Sequence, residues 1–167
     1  MIVASYMLNE LKDDKKIEIL ENLWNNANEI LFIIEPGTPE NYKNIMKYRD
    51  YIIKNGGYIV APCPHKNKCE LPKNDWCHFT CRVERTKIHK NIKYADSPFE
   101  DEKLIYLVAR KKKIEGSKNR ILRHPKIEKG YVEVKLCTGD GITEEKITKS
   151  QKERYKIARK ADAGEEI

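Results

Sequence analysis

Four of the five cysteines fall between Ala61 and Arg82, in the stretch APCPHKNKCELPKNDWCHFTCR: Cys63, Cys69, Cys77 and Cys81. The fifth, Cys137, lies far away in VKLCTGDG. Thiolates are soft, strong ligands, and four that converge can hold a metal. The stretch also carries His65, His78, Pro62, Pro64 and Pro72. Proline fixes φ and removes an amide donor, so a stiff, irregular loop is expected rather than a helix or a strand. A loop this polar cannot order itself by burying apolar area, and a bound metal is the obvious staple.

Two plainer readings compete. Disulfides are one, but no signal peptide is visible, the cysteine count is odd and nothing points to an oxidising compartment. Scattered buried thiols are the other, but four within about twenty residues is dense for that. Structural zinc sites usually present knuckles spaced C-x2–4-C. The spacings here are C-x5-C, C-x7-C and C-x3-C, and only the last has that form. Longer loops suit a bulkier iron–sulfur cluster whose ligands approach several corners. Spacing alone leaves both metals open.

The elements that must position these cysteines begin with a short buried strand over Ile2–Tyr6. Asp13 to Ala27 reads as an amphipathic helix with Ile17, Leu20, Trp24 and Ala27 at helical spacing, capped by Asp13 or Asp14. Glu29–Glu35 is an apolar run of strand length. Thr38 with Pro39 starts a second helix, which carries Ile45, Tyr48 and Ile52 on one face and ends at Gly56. Tyr58–Ala61 is a short strand that delivers the chain into the cysteine loop. Strand, helix, strand, helix, strand predicts a parallel α/β sheet. Functional loops of such sheets lie at the C-terminal strand ends, where Glu35–Thr38 sits, although ordinary turn and cap chemistry accounts for that segment. Further on, the Glu100–Lys103 cluster precedes LIYLVAR, a strand, and pairing with nearby lysines is the simplest reading of it. Tyr131–Cys137 alternates as a strand and brings Cys137 back toward the loop. Gly56-Gly57 and Gly139–Gly141 are turn glycines. Thr143 to Lys160 has the pattern of a basic terminal helix.

The chain has 167 residues, 35% of them charged, a net charge of +7 and a pI near 9.0. That balance favours polyanionic partners, nucleic acid first. Two basic stretches carry it: RVERTKIHKNIKYAD, with His89 and Tyr94, and Arg110 to Lys129, with Lys118 against Glu115 and Glu128. The second is expected to be an exposed arm. The residues expected to touch RNA phosphates are Arg82, Arg85, Lys87, Lys90, Lys111, Lys112, Lys113, Arg120 and Arg123, which would supply affinity without sequence specificity. No apolar run reaches membrane-spanning length.

APCPH, C-E-L-P, D-W-C-H-F and R-V-E-R, with I-E-P-G-T-P, F-E-D-E-K, K-L-C and Y-K-I-A-R-K, resemble the signature of the ribosomal small-subunit Rsm-twenty-two family, the methyltransferase-like seventeen group of ribosome assembly factors. The resemblance runs from the first residues to about Lys160; after it the chain reads Ala161-Asp162-Ala163-Gly164, where the family usually has a tryptophan. It implies a 4Fe–4S cluster on four cysteines, which are here Cys63, Cys69, Cys77 and Cys137, with zinc as the alternative. Cys81 is then a spare thiol, or else the fourth ligand with Cys137 structural.

The resemblance further implies the C-terminal half of a class I, Rossmann-like methyltransferase sheet with an inserted cysteine-rich metal-cluster loop. Residues 1–60 would be its strand–helix repeats, 61–95 the insert, and 96–167 the remaining strands, basic arm and terminal helix of the same domain. No G-x-G-x-G occurs in the chain. The half that binds S-adenosylmethionine is therefore expected to lie outside it, the chain alone is not expected to bind that cofactor or to methylate, and a separate N-terminal fragment is a candidate partner. The leading expectation is a ribosome-assembly factor that binds small-subunit rRNA and the ribosomal particle. The alternatives are an S-adenosylmethionine-dependent rRNA methyltransferase and a zinc-stabilised RNA-binding module. With no targeting segment visible, a bacterial cytoplasm is expected, with the mitochondrial matrix as the alternative.

Overall fold

The computed structural model describes residues 1–93, 96–113 and 119–167. Tyr94, Glu115 and Lys118 lie outside the described residues. The first part of the chain forms β1 (Ile2–Ser5), α1 (Asp13–Asn26), β2 (Ile30–Pro36), α2 (Pro39–Lys54) and β3 (Tyr58–Ala61). After the cysteine loop come β4 (Phe79–Glu84), α3 (Lys87–Lys93) and the long strand β5 (Phe99–Arg110). The sheet order is β1-β2-β5-β3, and β4 also pairs with β5.

β1 and β2 are parallel, but β5 runs antiparallel to β2, β3 and β4. The sheet is mixed rather than wholly parallel, which corrects the expectation. The strand–helix alternation does make β1, β2 and β3 mutually parallel. It also leaves a gap between β2 and β3, which β5 fills from the opposite direction. Local alternation cannot report a strand delivered so much later. The mixed sheet still fits the α/β class expected.

The core follows from two periodicities. Leu31 and Ile33 of β2 lie opposite Ala109 and Leu107 of β5, and these four, with Ile105, are buried. Against them pack Leu20 and Trp24 of α1 and Ile45, Tyr48 and Ile52 of α2. Each fully buried Leu or Ile side chain stabilises the fold by about 1.5–3 kcal/mol. Thr38 caps α2, its Oγ1 accepting from the Asn41 N–H at 3.2 Å, with Pro39 at the first position. Gly56, at φ +78°, ends that helix. In α1 the N-cap is Lys12 with no side-chain cap, not Asp13 or Asp14, and Ile17 is exposed while Lys16 is buried and reaches Asp13 at 2.7 Å. The Glu100–Lys103 cluster lies inside β5 rather than ahead of it; there Asp101 opposes Arg82 and Glu100 opposes Val83 of β4.

A second sheet holds β6 (Arg120–Ile121), β7 (Lys126–Glu128), β8 (Tyr131–Thr138) and β9 (Gly141–Thr148), followed by α4 (Lys152–Ala158). β8 is central: β6 and β7 share one edge and β9 takes the other in full register. The turn between β8 and β9 needs Gly141, at φ +133°, a conformation side chains rarely adopt. Ile121, Val132, Val134, Leu136, Ile147, Tyr155 and Ala158 form its core. Thr143–Thr148, expected to be helical, is therefore strand, and helix is confined to a 3-10 turn at Lys149–Gln151 and to α4. The β-branched Thr143, Ile147 and Thr148 favour that outcome once β8 offers an edge. The expected arm is likewise partly folded in. The tail pairs with β6 through Ile121 N to Glu165 O at 2.9 Å and Gly164 N to Ile121 O at 2.7 Å, and Ile121 and Leu122 are buried. A third cluster, Cys77, Phe79, Leu122 and Cys137, joins the two sheets, with Tyr42, Leu71, Leu104, Tyr106 and Ile142 packed against it. Among the described residues no helix is long and apolar enough to cross a membrane.

Candidate metal centre

β3 ends at Ala61 and releases the chain into an irregular loop, so Cys63 stands just beyond a strand end. Cys77 stands just before β4, and Cys137 is the penultimate residue of β8. Cys63, Cys69, Cys77 and Cys137 line one cavity together with Ile45, Pro62, Ile105, Leu122, Ile142 and Arg120. Cys81 lies outside it, exposed on β4 opposite Glu102. All five are free thiols. The structure thus gathers the three loop cysteines with the distant Cys137 and sets Cys81 apart.

The four thiols share a cavity without closing on one point. Among the described residues no group of three or more His, Cys, Asp and Glu side chains is arranged to hold a metal ion. Four sulfurs around one zinc at about 2.3 Å would stand within roughly 3.8 Å of each other. Thiolates at the corners of a four-iron cluster stand further apart.

Burial bears on the protonation of three of these thiols, Cys63, Cys77 and Cys137. Burial pushes Cys63 up, against the opposing pull of Arg49 and Arg120. Cys77 is raised well above its ordinary value, first by burial and then by Cys63, Cys69 and Cys137. Cys137 is pushed up to about 12 by burial and by Cys63 and Cys69, while Arg49 and Arg120 pull it down. At Cys63, Cys77 and Cys137 burial favours the protonated thiol, and a bound metal would have to displace those protons. His65, buried, places Nε2 at 3.5 Å from Cys137 Sγ, and its Nδ1 has no partner. The Nε atoms of Arg49 and Arg120 are also buried without partners. Orphaned buried donors beside a cluster of thiols fit a site completed by an anionic group.

The loop is clamped at several points. An Arg49 Nη donates to the carbonyls of His65 at 2.7 Å and Asn67 at 2.9 Å, fixing the segment between Cys63 and Cys69. Trp76 Nε1 donates to Gly37 O at 2.9 Å. Glu70 meets the β8–β9 turn, where it accepts from Ile142 N at 3.4 Å. Arg123 pairs with Asp75 and donates to Trp76 O at 3.0 Å, and Lys135 Nζ lies 3.4 Å from Asp75. Burial raises the Asp75 pKa, but Arg123, the Trp76 N–H and Lys135 outweigh it and hold the carboxyl below its usual range. A depressed carboxylate contributes stability that is present above its unfolded pKa and lost as pH falls through the folded one. Asp75→Asn is therefore expected to lower stability by about 1.5–3 kcal/mol at neutral pH, and the difference should vanish well below pH 4. Thermal melts of both proteins across that range check this.

The cations expected to meet RNA divide into two sets. Lys87, Lys112 and Lys113 are exposed and Lys90 is half-buried. Arg82 is exposed but held by Asp101 at 2.8 and 3.1 Å. Lys111 is exposed, with Nζ 3.2 Å from Asn25 O and 5.3 Å from the Trp24 ring centre. Arg85 is largely covered and pairs with Glu100 at 3.2 Å. Arg120 is buried and donates to Gly164 O at 2.8 Å and Glu166 at 2.7 Å. Arg120 and Arg123 thus turn inward, toward the tail and the cysteine loop.

The family model described as mitochondrial small ribosomal subunit Rsm22 matches residues 1–167, the whole chain. The chain belongs to the Rsm22 family. It is 24% identical over 184 residues to the human ribosome assembly protein METTL17, mitochondrial, an alignment that covers 99% of the chain. The chain spans 38% of the length of that relative.

Within this Rsm22-family chain, sequence reasoning missed Arg49 and the inward role of Arg120. Arg49 sits four residues after Ile45 and three before Ile52, on the apolar stripe of α2, and a cation on such a stripe is a signal. Arg120 precedes Ile121-Leu122, the apolar pair in an otherwise charged run.

Proposed function

We propose that the chain works as part of a ribosomal small-subunit assembly factor in which Cys63, Cys69, Cys77 and Cys137 hold a 4Fe–4S cluster and lysines of α3 and of the segment after β5 bind rRNA. The observation that carries this is the meeting of four thiols, three from one loop and one from the far end of β8, in a single largely apolar cavity at the seam between the sheets. Family membership and the similarity to the human ribosome assembly protein support the ribosomal setting. The mitochondrial label of both supports the matrix over a bacterial cytoplasm.

A cluster held there supplies cross-linking: it would tie the loop to both sheets, much as a structural metal couples binding to folding. The protein's own residues do the rest. Ile45, Pro62, Ile105, Leu122 and Ile142 exclude water. Arg49 and Trp76 hold the loop's two halves in place. The inward turn of Arg120 and Arg123 narrows the RNA-binding set to α3 and the end of β5. Lys87, Lys90, Lys112 and Lys113 carry it, with Arg82 and Lys111 beside them.

Replacing Lys87, Lys90, Lys112 and Lys113 by Ala is expected to weaken binding to structured rRNA. The dependence of log affinity on log salt should become shallower by roughly one unit for each phosphate no longer neutralised, up to about four. Filter binding or fluorescence anisotropy at several salt concentrations reads this. An affinity indifferent to salt in the parent protein contradicts the RNA-binding reading.

A further inference from the structure

We propose that Arg49 and Arg120 are resident counter-cations for an anionic metal centre on the four cysteines, and thereby positioning residues that set how firmly the centre is held and how readily it is reduced. This rests on the cysteine-centre reading above. Arg49 is 1% exposed and Arg120 8%. A buried guanidinium is tolerated only when charge and hydrogen bonds compensate it. For Arg49 the compensation within the chain is incomplete: Asp50 stands 3.4 Å away with its side chain 75% exposed. Arg120 has Glu166 at 2.7 Å, 40% exposed at the tail. Both arginines retain a buried Nε–H with no partner.

Arg120 lines the cysteine cavity directly. Arg49 reaches the loop from α2, where it donates to the carbonyls of His65 at 2.7 Å and Asn67 at 2.9 Å, between Cys63 and Cys69. The two cations therefore approach the centre from the two sheets' sides. Four thiolates around a four-iron cluster form a dianion, as they do around one zinc, and two guanidiniums balance it. The phosphate-binding reading that the basic run invites for Arg120 does not fit a side chain that is buried.

The test uses the full chain purified without oxygen, in parent form and as Arg120→Gln, Arg120→Lys, Arg49→Lys and Glu166→Gln. Two readouts apply: the rate at which metal is lost to a chelator, and the midpoint potential of the cluster by voltammetry. Arg120→Gln is expected to lose metal about ten- to a hundredfold faster and to shift the potential to more negative values, since reduction adds negative charge where a cation has gone. Both lysine variants should stay near the parent. Glu166→Gln, which removes a competing carboxylate at the exposed tail, should move the potential the opposite way. That reversal of sign separates counter-charge from mere support of the fold. An Arg120→Gln protein with the parent's potential and release rate overturns the proposal. A parent that holds zinc and no iron overturns the iron–sulfur reading alone, and the release rates then decide the role of the arginines. A parent that holds no metal overturns both.

Discussion

Cys69→Ser is expected to strip the protein of iron and inorganic sulfide and to free the loop between β3 and β4. Cys137→Ser should do the same and also part the two sheets, because Cys137 is the one cavity cysteine contributed by β8. Cys81→Ser should keep its iron, since Cys81 is exposed on β4 and does not line the cavity. The size of the effect follows from what else holds the loop. Residues 62–78 contribute neither helix nor strand, and their clamps are a handful of hydrogen bonds. Each such bond is worth about 0.5–1.5 kcal/mol, more where a charge takes part. Metal binding in small structural sites contributes about 10–16 kcal/mol, so losing it outweighs all the clamps together. Iron and sulfide assays with visible absorbance read the first effect, and hydrogen exchange or limited proteolysis of the loop reads the second. Iron loss in Cys81→Ser with retention in Cys137→Ser would reverse the ligand assignment.

Gly37→Ala is expected to lower the melting temperature by about 2–12 °C through overpacking alone. A Cβ at Gly37 would stand 2.9 Å from Leu104 N and from Lys103 C, both backbone atoms inside β5, which cannot swing aside. The same residue donates its N–H to Lys103 O at 2.8 Å and accepts from Trp76 Nε1 at 2.9 Å. Pushing it off β5 therefore also loosens Trp76 and the cysteine loop beyond it, and metal should leave the variant faster. Gly139→Ala is the control: a Cβ there meets nothing within 4 Å, so its melting temperature should stay within a degree or two of the parent. Equal melting temperatures for Gly37→Ala and the parent would show that the turn after β2 is not packed on β5 as described.

Much of this architecture is written locally. Thr38-Pro39 and Gly56 bracket α2 because capping and positive φ are one-residue decisions. Leu31, Ile33, Leu107 and Ala109 announce buried strands by their runs. The cavity's cysteines stand out by type alone, although assigning four of five needed the family resemblance as well as spacing. The rest depends on pairings between residues far apart in sequence. β5 slips antiparallel between β2 and β3, and no local pattern encodes which gap a later strand enters. Gly141–Thr148 has the charge of a solvated helix, but the free edge of β8 makes it a strand. Arg120 reads as one more cation in a basic run until the tail, from Gly164 to Glu166, closes over it. The same holds for Arg123, whose partner Asp75 is 48 residues away.

The central claim is the iron–sulfur centre, and metal analysis of the full chain purified without oxygen tests it most directly. The expected result is about four irons and four sulfides per chain, with zinc well below one, and loss of the iron on exposure to air. Stoichiometric zinc with no iron in that preparation would contradict it.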